Sequence, residues 1–279
     1  MERVEQRAQR EMQEDTGPGA KVPVPPGVQI ERDLAYGTHP VQRLDVYRPA
    51  NAQGAPIVFM IHGGAWMLGD KSAPRLVGNK VARWVPKGYI VVSANHRKAP
   101  EADPLEQAND VAKALAFTQS QARGWGGDAS RVVLLGHSAG AHLVALLTAD
   151  PSIGTQQGAR PWLGTVALDS AAFDIVDIMR SPHPRFYDRV FKSDPAYWRA
   201  ASPTHRLTTA PRPMLVVCSI QRSNSCAQAE KFASKANALG GRVTVLPVAM
   251  DHGELNEALG ADPQYTDVVE GFLRSLGLT

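Results

Sequence analysis

Residues 131–147 constrain this chain more than any other stretch. The apolar run Arg131-Val132-Val133-Leu134-Leu135 leads into Gly136-His137-Ser138-Ala139-Gly140, and Ala141-His142-Leu143-Val144-Ala145-Leu146-Leu147 follows. Five residues rich in Val and Leu suit a buried strand, and the Ala/Leu-rich stretch after them suits a buried helix. The glycine-flanked serine therefore falls on a strand-to-helix turn. Such a turn presents the hydroxyl on strained backbone, while the flanking glycines let neighbouring chain pass close. A G-x-S-x-G pattern alone is weak; the strand before it and the helix after it make Ser138 a candidate nucleophile.

The rest of the chain supplies what a doubly covered sheet needs. Of 279 residues, 43% are hydrophobic, enough for the core of one large α/β domain. Thirty basic against 27 acidic residues leave a formal charge of +3, without a long run of either sign. Nothing in that balance points to nucleic acid or an anionic membrane surface. No apolar stretch approaches the roughly 18 residues of a membrane span, and Met1-Glu2-Arg3-Val4-Glu5-Gln6-Arg7 is too charged for a signal peptide. A soluble protein is expected. Cys218 and Cys226 admit two readings, a pair of small buried side chains or a disulfide that would require an oxidising, periplasmic or secreted setting.

Taken in order, residues 1–20 form a polar arm with Val4, Ala8 and Met12 at helical spacing, and Val22-Pro23-Val24-Pro25-Pro26-Gly27 is a stiff linker, giving an arm and linker over 1–27. The domain is expected over 28–279. Its first strands, 28–36 and 41–47, are joined by Gly37-Thr38-His39-Pro40 and read as an antiparallel hairpin at a sheet edge. Strands then alternate with helices. Pro56 to Ile61, Tyr89 to Ala94, Thr165 to Leu168, Pro213 to Cys218 and Arg242 to Val248 are apolar runs, separated by helical patterns at 76–85, 105–123 and 227–239. That alternation predicts a mostly parallel, doubly wound sheet of about eight strands. The Pro-, Arg- and aromatic-rich segment 170–203 lacks strand periodicity and is expected to be a small cap insertion. Trp66, Phe173, Phe186 and Tyr187 are candidates for lining a substrate pocket, with Trp198 a further one, although each equally suits core packing.

Two further motifs bear on chemistry. The strand over Pro56 to Ile61 runs into His62-Gly63-Gly64-Ala65-Trp66, where consecutive glycines leave backbone N–H groups unshielded. With the N–H of Ala139 they suit an oxyanion hole, so Gly63, Gly64 and Ala139 are the expected donors. A serine hydroxyl needs a base to take its proton. His252 follows the last strand, which delivers it to the carboxyl edge where Ser138 also lies. No His/Cys/Asp cluster has metal-ligand spacing, and neither a metal nor an organic cofactor is implied.

With elbow, glycine loop and late histidine in order, the chain resembles the α/β-hydrolase esterases related to hormone-sensitive lipase, in the H-G-G-x-W form of arylformamidase-like and feruloyl or acetyl-xylan esterase-like members. His96-Arg97-Lys98-Ala99-Pro100-Glu101 is similar to that branch's Y-R-L-A-P-E segment, with His for Tyr. The resemblance implies the α/β-hydrolase fold and a Ser138–His252 pair with an acid behind it. It also implies that the acid follows the strand ending at Cys218, yet 219–225 holds no carboxylate. Asn224 occupies the aligned position, or Arg222 in a shifted alignment. Asparagine can hydrogen-bond an imidazole but cannot stabilise an imidazolium. Asp169, which ends the preceding strand, is the alternative acid, ahead of Asp251 and Glu254. The expected activity is hydrolysis of short-chain or aryl carboxylic esters, small-molecule substrates, through an acyl-serine. Arylformamidase-like amide hydrolysis, or a weakened ligand-binding pseudo-hydrolase signalled by Asn224, are the alternatives.

Overall fold

The computed structural model describes residues 22 and 24–278; the expected arm over 1–20 lies outside them. Eight strands are present: β1 (Val28–Ala35), β2 (Arg43–Pro49), β3 (Ala55–Ile61), β4 (Ile90–Ala94), β5 (Gly127–His137), β6 (Gly164–Leu168), β7 (Met214–Ser219) and β8 (Val243–Val248). They form one sheet in the order β1-β2-β4-β3-β5-β6-β7-β8. Antiparallel pairing joins β1 to β2 and β2 to β4, so the expected hairpin is the sheet's edge. The remaining pairs are parallel.

Every residue of β3, β4, β6 and β7 is buried. Continuous apolar runs of this kind arise when helices cover both faces of a parallel sheet, which leaves no side for polar residues. Alternate residues of β3 show the division. Ile57, Phe59 and Ile61 pack with α2 (Pro104–Gln121) and α3 (Ala139–Ala149), whereas Val58 and Met60 pack with α1 (Pro74–Trp84) and with α11 (Pro263–Ser275) on the opposite face. Helix α4 (Ser152–Gln156) adds a single turn before β6. This is the α/β-hydrolase fold.

Between β6 and β7 the chain makes only short helices: α5 (Ile175–Met179), α6 (Phe186–Phe191), α7 (Pro195–Ala200) and α8 (Pro203–Arg206). Proline at the start of α7 and α8 and aspartate caps on α5 and α7 begin helices that the sequence gives no length to extend. Helix α9 (Ser225–Ala238) follows β7, and α10 (His252–Ala258) follows β8. No helix among the described residues is long and apolar enough to cross a membrane.

Candidate active site

Six parallel strands, β3 to β8, release their loops at one edge of the sheet, where ligands bind in open α/β folds. Ser138 follows β5 with φ 54° and ψ −115°, a conformation that side-chain-bearing residues rarely adopt. The surroundings hold it there. Its N–H donates to Leu168 O at 2.8 Å, and its carbonyl accepts the N–H of His142 at 3.1 Å. Gly140 is required by the crossing of α3 over β3, since a Cβ there would meet His62 O at 2.5 Å.

His252 is the first residue of α10. Asp251 and Glu254 form a capping box around that helix start, with Glu254 N–H on Asp251 Oδ1 at 2.7 Å and Asp251 N–H on Glu254 Oε2 at 3.1 Å. Both acids are thereby spent on the helix and neither serves His252. From β5, His137 Nε2–H donates to His252 O at 3.0 Å, and from α1 Lys80 Nζ donates to Asn256 O at 2.5 Å. The imidazole so held spans two partners: Nε2 lies 2.9 Å from Ser138 Oγ and Nδ1 2.6 Å from Asp169 Oδ2.

Asp169, not Asn224, is therefore the carboxylate at His252. Asn224 stands exposed at the N-cap of α9 without a side-chain capping bond, and the Nδ1 position expected of it is taken. Asp169 follows β6 as Ser138 follows β5, and also has positive φ, 51°. Its carboxylate is wholly buried and surrounded by donors. Ser219 N–H (2.8 Å) and Ser225 Oγ reach Oδ1, while Arg222 Nη1 (3.0 Å) joins His252 at Oδ2. Burial alone would push this carboxyl up, but the hydrogen bond from His252, the Arg222 charge and the Ser225 hydroxyl together hold it well below the usual carboxylate range. Because the carboxylate is ionised, Nδ1 carries the proton and Nε2 is free to accept from Ser138. Burial, then the nearby charges of Arg222 and His137, lower His252 to about 4 against the opposing pull of Asp169. The imidazole is neutral at pH 7, the state a base requires.

The glycine loop approaches from β3. Gly64 has φ 101°, and a Cβ there would strike Leu68, whose N–H donates to Gly64 O at 2.8 Å. Gly63 O accepts His62 Nδ1–H at 2.8 Å inside the protein. The loop residues that reach the cleft beside Ser138 and Ala139 are Ala65 and Trp66 rather than the expected Gly63 and Gly64. The His96–Glu101 segment supports this loop from below. His96 stacks on His62 with centroids 4.6 Å apart, and Trp66 O accepts from Ala99 N–H at 2.9 Å and Gln107 Nε2 at 3.0 Å.

Trp66, Phe186 and Tyr187 line the cleft, which is small, about 30 Å³. Phe173 does not; it is fully buried and packs on Phe232 of α9 with centroids 5.0 Å apart, so its expected pocket role is corrected to core packing. Trp198 donates to the Phe191 and Lys192 carbonyls and belongs to the packing of the 170–203 segment. A larger cavity of about 580 Å³ opens between that segment and α9, sharing Phe186, Tyr187 and Arg222 with the cleft. One feature was invisible to pattern reading: Trp66 Nε1–H donates to His142 Nδ1 at 3.1 Å, and His142 Nε2–H donates to Ala201 O at 2.8 Å, tying glycine loop, elbow helix and the end of the 170–203 segment together. Cys218 and Cys226 are joined by a disulfide that closes the loop carrying Arg222. Among the described residues no group of three or more acidic, His or Cys side chains is arranged to hold a metal.

Comparison with known proteins agrees with this architecture. The BD-FAE family model matches residues 44–158, which hold the glycine loop and Ser138 but end before Asp169, Arg222 and His252. The probable isoprenylcysteine alpha-carbonyl methylesterase ICMEL2 of Arabidopsis thaliana is 33% identical over 47% of this chain and 30% of its own length. Esterase LipC of Mycobacterium tuberculosis is 30% identical over 75% of this chain and 55% of its own. The chain thus spans about a third to a half of these curated relatives. Among solved structures, a truncated carbohydrate esterase from gut microbiota superposes with TM-score 0.77 at 20% identity, over 93% of this chain and 100% of that one. Esterase B from Lactobacillus rhamnosis gives 0.76 at 20% identity, over 98% and 91%. The chain thus has the α/β-hydrolase fold of these esterase structures, and its residues 44–158 match the BD-FAE family model.

Proposed function

We propose that this protein is a serine esterase with Ser138 as nucleophile, His252 as base and Asp169 as acid. The observation that carries the reading is the single imidazole hydrogen-bonded at Nε2 to Ser138 Oγ (2.9 Å) and at Nδ1 to Asp169 (2.6 Å). As Ser138 Oγ attacks an ester carbonyl, its proton passes to His252 Nε2. Asp169 keeps Nδ1–H oriented and offsets the positive charge of the imidazolium. The carbonyl oxygen becomes an oxyanion, for which the N–H groups of Ala139 and Ala65, both at the cleft, are the donors; Gly63 and Gly64, which do not line it, are the weaker candidates. The tetrahedral intermediate collapses as His252 returns the proton to the leaving alcohol. Water then attacks the acyl-serine along the same path, releasing the acid and restoring Ser138.

A cleft of about 30 Å³ bounded by Trp66, Phe186 and Tyr187 suits a short acyl group, and the adjoining cavity of about 580 Å³ suits the larger alcohol. The 170–203 segment acts as the cap that separates the two. The disulfide favours an oxidising compartment. The carboxylate on His252 Nδ1 argues against the pseudo-hydrolase reading, which rested on Asn224 at the acid position.

The test is labelling by a fluorophosphonate probe together with turnover of p-nitrophenyl acetate, butyrate and octanoate and of an N-formyl arylamine. Ser138 is expected to be the labelled residue, short esters the best substrates, and Ser138→Ala inactive but folded. Retention of most turnover by Ser138→Ala would refute the nucleophile assignment.

A further inference from the structure

The loop between β7 and α9 offers Asp169 nothing but hydrogen-bond donors. Ser219 N–H and the Ser225 hydroxyl take Oδ1, and Arg222 Nη1 reaches both Oδ2 (3.0 Å) and the main-chain oxygen of Asp169 (2.9 Å). The loop is fastened on three sides. Cys218–Cys226 closes its base, Ser219 Oγ donates to Met250 O at 2.5 Å, and Ile220 N–H donates to Val248 O at 3.0 Å, just upstream of His252. Arg222 is 17% exposed and borders both the cleft beside Ser138 and the larger cavity.

Resting on the esterase reading, we propose that Arg222 is a positioning residue for the triad: its guanidinium clamps Asp169 by side-chain and main-chain oxygens at once and sets a fixed positive charge against the imidazolium of His252. The clamp opposes the strain of a non-glycine residue at positive φ, which on its own favours relaxation of the Asp169 backbone. Both contacts come from Nη1, which the planar guanidinium holds in place and a flexible lysine ammonium does not. The charge acts on the base. Facing His252 are Asp169 from β6, Arg222 from the β7–α9 loop, and His137 with Ser138 from β5; Tyr265 of α11 faces Asp169, and Asp251 and Glu254 are engaged in the α10 cap. Of these, Arg222 and His137 disfavour the imidazolium and Asp169 favours it, on top of a dominant burial effect. His252 therefore stays an unprotonated base far below neutrality, and activity should persist into mildly acidic solution.

Removing the guanidinium removes a like charge and leaves the pull of Asp169 less opposed, and both changes raise the proton affinity of His252. The experiment measures kcat/KM for p-nitrophenyl butyrate from pH 4 to 8, and the His252 ring titration by NMR, in the wild type, Arg222→Met and Arg222→Lys. Arg222→Met is expected to move the acid limb and the NMR midpoint up by roughly one pH unit and to lower the plateau about tenfold. Arg222→Lys, which keeps the charge but not the rigid placement of the Nη1 donor, is expected to lower the plateau while leaving the acid limb within about 0.3 unit of the wild type. Equal losses in both variants with unmoved midpoints would mean a merely structural arginine and overturn the proposal. Absence of ester turnover by the wild type, or turnover by Ser138→Ala, would instead overturn the esterase reading. In either of those cases the NMR midpoints in Arg222→Met and Arg222→Lys still decide the role of Arg222.

Discussion

The turns that follow β6 and β7 lie next to each other, yet they divide one task. The β6 turn supplies a carboxylate, Asp169, on strained backbone; the β7 loop supplies Ser219, Arg222 and Ser225, all donors to that carboxylate. Leu168 and Val217 are register partners in parallel strands, so both loops start at the same height above the sheet and face the same imidazole. An acid can therefore sit on either loop, provided the other supplies its hydrogen bonds. The resemblance expects an acid on the β7 loop; in this chain that loop carries the donors, and the carboxylate on His252 comes from the β6 turn.

The comparison breaks most visibly at Asp169. Asp169→Asn removes the charge behind His252 and lets an amide N–H point at Nδ1, which would force the wrong tautomer. A loss of about 10⁴ in kcat with little change in KM is expected, the size of the corresponding change in a serine protease. Steady-state kinetics on a short-chain ester check it, and a loss under tenfold would return the acid role to another residue.

A smaller effect is expected from the supporting loop. Ser225→Ala deletes one hydroxyl from Oδ1 and leaves the Ser219 N–H in place. A hydrogen bond to a charged group is worth about 1.5–3 kcal/mol, so kcat should fall roughly tenfold without loss of fold, as read by kinetics beside circular dichroism. The least effect belongs to Asn224→Asp. Its side chain is exposed at the start of α9 and the Nδ1 partner is already in place, so kcat should stay within about twofold of the wild type, while the charge at a helix N-terminus adds about 0.5 kcal/mol of stability. A rise in kcat by orders of magnitude would place the acid on the β7 loop after all.

Two buried histidines show why proton affinity alone does not identify a base. His142 and His252 are both held at about 4, in each case first by burial. His142 has both ring nitrogens committed, one to the Trp66 indole and one to the Ala201 carbonyl. His252 has a carboxylate on one side and a serine hydroxyl on the other. Only the identity of the two partners separates a structural tie from a base.

Local pattern determined the elements. Unbroken apolar runs marked β3, β4, β6 and β7 because those strands are covered on both faces, and the Gly136–Gly140 stretch between strand and helix left one conformation for Ser138. The lateness of His252, after the last strand, was likewise enough to bring it to the edge where Ser138 lies. The tertiary structure decided what depends on neighbouring strands. Whether Asp169 or Asn224 meets the imidazole turns on the register of β6 against β7 and on where α9 begins, neither of which is written in the spacing of residues along one strand. The same holds for Phe173, whose ring is directed to Phe232 rather than the cleft, and for Cys218 and Cys226, whose union depends on the distance between a strand end and a helix start. Arg222 stands on the loop where the resemblance called for an acid, and its role emerged only when the carboxylate it serves was found on the adjacent strand.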